Sequence, residues 1–151
     1  MVQAPGPGEL PRQRIQRECD RRGVAAVAAD CAAMLAGREA DPQFVLMLGG
    51  VHAEAVLAGR EQPYWPRVWA ARGLLWAWHD TALPALRTAA ADEAWRVREM
   101  AAKVVARHLV LDALPEVARL QRDPVPRVRQ AAARALVRLT AEAGRERTRR
   151  R

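Results

Sequence analysis

The apolar residues near the start of this chain recur at the spacing of one helix face. Val24, Val27, Cys31 and Leu35 follow one another at intervals of three or four residues, which places them on one stripe of a helix. Gly37 is expected to end this helix, because glycine readily takes the left-handed conformation found at helix ends. The pattern therefore predicts an amphipathic helix whose stripe faces a core.

Turn-forming residues divide the following segment into further helices. Asp41 and Pro42 stand where a helix N-cap and its first residue are expected, and the adjacent Gly49 and Gly50 disturb the apolar run after them. No long alternating run predicts a strand. The sequence therefore predicts an all-α protein, in which the other helices of this part cover about residues 9–22, 42–57 and 65–78.

The second half of the chain contains one pattern twice. Residues 83–108 align with residues 114–139 at a shift of 31, and nine of the 26 aligned positions are identical. Each copy predicts a short helix that begins near Leu-Pro, a turn with an aspartate, and a longer helix. Asp123 is the expected N-cap of the second long helix, with Pro124 as its first residue. Residues 42–78 match the same pattern more weakly, so the sequence predicts about three stacked helix pairs.

The two longer helices each show an apolar face and a basic face when projected at about 100° per residue. The apolar positions, expected to face the core, are Val97, Ala101, Val104 and His108, then Val128, Ala132, Ala135 and Leu139. The basic positions are Arg96, Lys103 and Arg107, then Arg127, Arg134 and Arg138. The same shift places Trp65, Arg72 and Trp76 at the basic positions of the weaker copy.

Basic columns with tryptophans beside them suit an anionic partner. Basic side chains neutralise phosphates or carboxylates, and tryptophan rings stack on bases. The six basic positions, together with Trp65, Arg72 and Trp76, are therefore candidate binding residues for an acidic protein or a nucleic acid. The alternative is a helix face that is simply solvated, with Trp76 packed between repeats.

Composition narrows the possible chemistry. Alanine, the strongest helix former, dominates the apolar set. The chain contains no serine and no asparagine, which excludes a Ser-His-Asp hydrolase and N-glycosylation. Neither His52 nor His79 has a histidine or cysteine neighbour at ligand spacing, so we expect no metal and no cofactor.

The positive charge is concentrated toward the C-terminus. The formal net charge is +8 at pH 7, and residues 92–151 carry fifteen basic side chains against eight acidic ones, whereas residues 1–91 carry ten against nine. A basic end favours anionic partners. The alternative is that the arginine-rich segment at residues 145–151 only aids solubility.

Three absences predict a cytoplasmic protein. Cys19 and Cys31 form no CxxC pair, which favours free thiols in a reducing compartment. The first residues lack the apolar region of a signal peptide. No stretch of about eighteen residues is free of charge. We expect a cytoplasmic monomer without a membrane span.

The motif D-x4-V-R-x2-A-A after a short Leu-Pro helix resembles the HEAT repeat. Its members here are Asp92, Val97 and Arg98, then Asp123, Val128 and Arg129. The resemblance is close over residues 83–140 and loose over 42–78, and the whole chain is also similar to small HEAT-like proteins from GC-rich bacteria. It implies a right-handed α-α superhelix, a short HEAT-like solenoid of about three helix pairs preceded by N-terminal helices. It also implies structural hydrogen bonds from the aspartate and arginine across the turn between helices.

The resulting organisation has four parts. A disordered start (1–8) precedes a helical cap (9–40), HEAT-like repeats (41–140, with pairs at about 42–78, 81–108 and 112–140) and a basic tail (141–151). By the resemblance, the second helices line a concave surface where partners usually bind. The expected function is a non-enzymatic docking or scaffold module.

Two other functions are known among HEAT-like proteins. Some are DNA glycosylases for alkylated bases that use tryptophan and a carboxylate spaced as W-x3-D, and Trp76 and Asp80 have this spacing. A carboxylate there would stabilise positive charge as the glycosidic bond breaks, although the other signature residues of those enzymes do not align. Bilin-lyase-like HEAT proteins are the second alternative, supported by the repeat alone.

Overall fold

The structure is a computed structural model, and it describes residues 6–151. Within that range the chain forms helices and turns and no strand, which confirms the predicted all-α class. Most of the predicted disordered start, residues 1–8, lies outside the described residues. The chain divides into two compact units, unit 1 up to Leu86 and unit 2 over Arg87–Arg151.

The helices of unit 1 follow the turn signals in the sequence. They are α1 (Pro11–Arg22), α2 (Val24–Leu35), α3 (Pro42–Gly49), α4 (Ala53–Leu57) and α5 (Trp65–Gly73). The Asp41 carboxylate accepts a hydrogen bond from the Gln43 N–H at 2.8 Å and caps α3 as predicted. The predicted disturbance is also confirmed, because α3 ends at Gly49 and a 3₁₀ turn, Gly50–His52, leads into α4.

Two predictions about unit 1 are wrong in detail. Val24 begins α2 and is 43% exposed, although the other three residues of its predicted stripe are buried. The helix predicted to reach residue 78 ends at Gly73. Beyond that point the hydrogen bonds tighten to a spacing of three residues, with the Leu75 N–H donating to the Arg72 carbonyl at 3.0 Å and the Trp76 N–H to the Gly73 carbonyl at 3.1 Å.

The remaining helices repeat in order and in the spacing of their first residues. The boundary between the units falls within α6 (Leu83–Ala89), and unit 2 continues with α7 (Trp95–His108), α8 (Leu114–Leu120) and α9 (Pro126–Arg149). The 3₁₀ turns Asp80–Ala82 and Leu111–Ala113 precede α6 and α8. Turn, short helix and long helix each begin 31 residues after their counterparts (80 to 111, 83 to 114, 95 to 126). The predicted repeat is confirmed.

An earlier copy of the same order lies in unit 1, but in a different register. Its 3₁₀ turn, short helix and long helix begin 30 residues before the next copy (50 to 80, 53 to 83, 65 to 95). The predicted shift of 31 residues sets Trp65 opposite Arg96. In the register of the helices, Trp65 corresponds to Trp95.

The start and the end of α9 also differ from expectation. The Asp123 carboxylate accepts a hydrogen bond from the Val125 N–H at 2.9 Å ahead of the helix, so that Val125 is the N-cap residue and Pro126 the first helical residue. The prediction that Pro124 begins this helix is wrong, because Asp123 closes a turn before it. At the other end, α9 continues through most of the predicted tail, 141–151, whose arginines, glutamates and alanines favour helix.

The core of unit 2 follows the predicted apolar stripes. Helices α7 and α9 pack against each other. All the predicted core positions are buried except His108, which is half-buried.

Two glycines let the elements of unit 1 approach closely. A Cβ atom on Gly49 would overlap the six-membered ring of Trp69, and one on Gly73 would lie 2.8 Å from the Cys31 sulfur. These contacts fix α5 against α3 and α2, because only hydrogen occupies the space between them.

Every helix within residues 6–151 is too short or too polar to span a bilayer.

Candidate partner-binding face

Arg98 ties the two copies in unit 2 together. Its guanidinium donates to both carboxylate oxygens of Asp123, with Nε to Oδ2 at 2.7 Å and Nη2 to Oδ1 at 3.1 Å. Its Nη1 donates to the carbonyl oxygens of Asp92 and Glu93 at 2.8 and 3.0 Å. The Arg98 side chain therefore joins its own turn to the next one, which supports a structural role for this motif.

Asp123 is the buried centre of that connection. Burial alone would raise the pKa of the Asp123 carboxyl, but the hydrogen bonds from Arg98 and from the Val125 N–H outweigh it and hold the pKa below its usual value. Arg129 donates to the Asp123 carbonyl oxygen at 2.7 Å, as Arg98 does to that of Asp92. Val97 and Val128, the valines of the motif, are fully buried.

Part of the predicted basic face is organised around a buried carboxylate. The Glu99 Oε1 accepts a hydrogen bond from Arg127 Nε at 3.2 Å and forms an ion pair with Lys103 Nζ at 3.3 Å. The guanidinium carbons of Arg96 and Arg127 lie 4.4 and 5.4 Å from the centre of a Trp95 ring, within cation–π range. Glu99 and Trp95 therefore hold three of the six basic side chains in place.

The other three basic side chains have no such partner. Arg107, Arg134 and Arg138 are exposed, and within residues 6–151 none of them forms an ion pair or a side-chain hydrogen bond. Arg134 and Arg138 lie one turn apart on α9, and Arg107 occupies on α7 the position that Arg138 occupies on α9. Their charges remain available to a partner.

Trp95 and Glu99 belong to this face, although neither was predicted to do so. Glu99 lies four residues before Lys103, the spacing of helical ion pairs, so one signal for it was present. Arg127 contacts both Glu99 and Trp95, and the Arg127–Glu99 hydrogen bond joins residues 28 positions apart. No local spacing predicts those contacts.

The three candidate residues of the weaker copy lie in a different setting. Trp65, Arg72 and Trp76 belong to unit 1 and are half-buried. In the register of the helices, the counterparts of Arg96, Lys103 and Arg107 are Pro66, Gly73 and Ala77, and the last two are buried. Trp65 and Arg72 instead line a pocket within unit 1. A role for the three residues in partner binding stays a prediction.

The W-x3-D pair lies beyond the end of α5. Asp80 is exposed and begins a 3₁₀ turn, where its Oδ1 accepts a hydrogen bond from the Trp78 indole at 3.2 Å. Trp76 is half-buried. Glycosylase activity at these residues stays a prediction that this geometry does not test.

The repeated segment matches a known protein family. Residues 53–137, more than half of the chain, match the model of the HEAT-repeat family. This range begins at α4 and ends within α9, so it includes all three copies of the helix pair. No curated protein and no solved structure matches the chain significantly.

Proposed function

Because this chain belongs to the HEAT-repeat family, we propose that it is a docking module that binds an acidic partner on the basic face of α7 and α9. HEAT repeats generally mediate protein interactions or scaffolding. The proposed module is not an enzyme and acts by holding its partner. The alternative partner is a nucleic acid.

The observation that carries this proposal is the set of uncompensated arginines. Arg107, Arg134 and Arg138 project from two helices that pack against each other, and their charges are not neutralised within the described chain. A partner's carboxylates would form charge-assisted hydrogen bonds with them. Such charges also speed the approach of an oppositely charged partner.

Glu99 favours a protein over a nucleic acid as that partner. It stands among Lys103, Arg127 and the Trp95 ring and would repel an unbroken chain of phosphates. A protein surface can place carboxylates beside the three free arginines and leave Glu99 to its present partners. The pair of Trp95 and Arg127 would add a flat amphipathic contact of the kind enriched in interfaces.

The test uses labelled probes of defined chemistry. Fluorescence anisotropy would compare an acidic peptide of about twenty residues with single-stranded and duplex DNA, at about 50 and 200 mM salt. We expect the peptide to bind and its affinity to fall with salt. DNA that binds more tightly, with a steep salt dependence, would replace the proposed protein partner by a nucleic acid.

Charge reversal locates the binding on the proposed face. The double variant Arg134→Glu with Arg138→Glu should reduce peptide affinity about tenfold or more, since each charge contact reverses sign. The matched control, Arg119→Glu with Arg122→Glu, changes the same charge at exposed residues on or just after α8. An equal loss in both variants would mean that net charge, and not this face, controls binding.

The basic end of α9 needs a separate control. Residues 145–151 carry five arginines, and Arg145 already pairs with Glu142 at 2.7 Å. We expect peptide binding to survive removal of these residues. Complete loss would move the binding site from the proposed face to the end of the helix.

A further inference from the structure

A pocket of about 450 Å³ lies beside the break between α3 and α4. Its volume falls within the range of small-molecule sites, about 300–1,000 Å³. Val51, Ala55 and Val56 supply apolar lining from the 3₁₀ turn and α4, and Trp65, Trp69 and Arg72 supply the α5 side. All of these residues belong to unit 1.

The cation of this pocket, Arg72, has no paired carboxylate in the part of the chain that the structure describes. Arg72 Nη2 donates to the Leu48 carbonyl oxygen at 2.8 Å, but its Nε is buried and has no hydrogen-bond partner within the described chain. No carboxylate in residues 6–151 forms an ion pair with Arg72. Buried polar groups are normally paired, so this guanidinium is an exception that calls for a ligand.

A second buried guanidinium increases the demand for an anion. Arg14 is 5% exposed, and its Nη2 donates to the same Leu48 carbonyl oxygen at 3.2 Å. Its Nε donates to the Met47 carbonyl oxygen at 2.7 Å. Burial, and then the charge of Arg14, lowers the pKa of Arg72 to about 10. The charge of Glu9 acts on Arg14, whereas the carbonyls at the end of α3 supply Arg72 with partial negative charge only.

Two tryptophans give the pocket an aromatic wall, in which Trp65 is half-buried and Trp69 is 5% exposed. The rings of Trp65 and Trp69 are stacked at an interplanar angle of 24°, with centroids 6.3 Å apart. Trp69 packs on the bare backbone of Gly49, which fixes its ring. A planar aromatic group would find both apolar area and favourable ring geometry against this wall.

We propose that this pocket binds a small planar aromatic carboxylate, whose ring lies against Trp65 and Trp69 and whose carboxylate pairs with Arg72. One negative charge suits the site better than two, because Glu61 lines the same pocket and would repel the second. The site is independent of the proposed docking face, whose arginines all lie in unit 2.

The experiment titrates the full chain with 2-naphthoate as the probe. Binding would be followed by the ¹H–¹⁵N signals of the tryptophan indoles and by calorimetry. We expect the Trp65 and Trp69 indole signals to shift and saturate, with weak or no response to the neutral isostere 2-naphthalenemethanol and to inorganic phosphate. Equal binding of the neutral isostere, or no shift of these two signals, would overturn the proposal.

Substitutions separate this site from the docking face. Arg72→Gln should weaken naphthoate binding about tenfold or more, as loss of a charge-assisted contact implies, whereas Arg107→Gln should leave it unchanged. Glu61→Gln should tighten binding a few-fold, because a repelling charge is removed. Binding that is unaffected by Arg72→Gln would overturn the proposal.

A second variant guards against misfolding of the first. Ala55→Phe leaves Arg72 in place and fills the apolar side of the pocket, so it should abolish naphthoate binding while acidic-peptide binding persists. Naphthoate binding that survives Ala55→Phe would place the ligand elsewhere and overturn the proposal.

Discussion

Arg98 in unit 2 and Arg72 in unit 1 are both partly buried cations, but their hydrogen-bond partners differ. Arg98 forms two hydrogen bonds with the Asp123 carboxylate and two more with carbonyl oxygens. Arg72 donates to one carbonyl oxygen and has the cation of Arg14 as its neighbour. A guanidinium matched by a carboxylate holds the fold together, whereas one matched only by carbonyls keeps a charge that a ligand can neutralise.

The same contrast divides the basic residues of unit 2. Lys103 and Arg127 share Glu99, and Arg127 also lies over Trp95. Arg107, Arg134 and Arg138 have no ion pair within residues 6–151. Lys103 and Arg127 therefore stabilise the surface through their ion pairs, whereas the other three side chains remain available to a partner. The residue type alone does not distinguish these two groups.

The largest effect is expected from Asp123→Asn. This change leaves the Arg98 cation without a counter-charge, and breaking a buried pair in this way costs about 3 kcal/mol. Urea unfolding followed by circular dichroism would measure the loss. Asp112→Asn, an exposed aspartate in the same unit, is the matched control and should change stability by less than about 0.5 kcal/mol. Equal losses would remove the structural role of the Arg98–Asp123 pair.

The free energy of unfolding at acidic pH should also depend on the Arg98–Asp123 pair. The folded pKa of Asp123 is depressed, so its stabilisation is fully present above the unfolded pKa of about 4 and is lost as the pH falls through the folded value. The stability gap between the wild type and Asp123→Asn should be constant from about pH 7 to 5 and should shrink below about pH 4. A gap that persists at pH 2 would contradict the depressed pKa.

Gly49→Ala should have the next largest effect, in unit 1. The added methyl group overlaps the Trp69 ring, and such overpacking costs about 2 kcal/mol. Gly144→Ala is the control: nothing lies within 4 Å of the added atom, and alanine in a helix should stabilise by up to about 1 kcal/mol. A neutral Gly49→Ala would show that Trp69 is not held by the glycine, and naphthoate binding would then not depend on this packing.

The smallest effect is expected from Glu99→Gln. Its partners Lys103 and Arg127 are partly exposed, so the stability loss should be about 0.5 kcal/mol. The affinity for the acidic peptide should rise about threefold, since the carboxylate that Lys103 and Arg127 share is neutralised. Glu93→Gln, exposed in the same unit, should change neither quantity. Weaker peptide binding by Glu99→Gln would mean that Glu99 contributes more by holding Lys103 and Arg127 in place than it costs by repelling the partner's carboxylates.

The helix pairs were predictable from sequence because their signals are local. Asp41 and the pair Gly49–Gly50 are helix-end signals of the local sequence, and the copies at 83 and 114 share Leu-Pro at the start of the short helix and an aspartate in the following turn. The first copy was misaligned by one residue. Its long helix, α5, ends at Gly73 after 9 residues where α7 has 14, so the residue is lost after the helix start, whereas this helix was predicted to continue past Gly73 to residue 78.

The sites were less predictable because their partners are distant in sequence. The Arg98–Asp123 hydrogen bond joins residues 25 positions apart and the Arg72–Leu48 hydrogen bond joins residues 24 apart, so local spacing predicts neither partner. Arg72 was predicted as a surface residue for a large partner, whereas the structure sets it half-buried beside a pocket. Which cation is paired depends on packing, and the motif D-x4-V-R signals it only for Arg98.

The most direct test of the contrast is to measure the unfolding free energies of Arg98→Gln and Arg72→Gln side by side, without ligand. We expect Arg98→Gln to lose about 3 kcal/mol, because Asp123 is left buried and unpaired. Arg72→Gln should lose less than about 1 kcal/mol, because it removes a cation that the fold does not neutralise. Equal losses would contradict this assignment and make Arg72 a structural residue like Arg98.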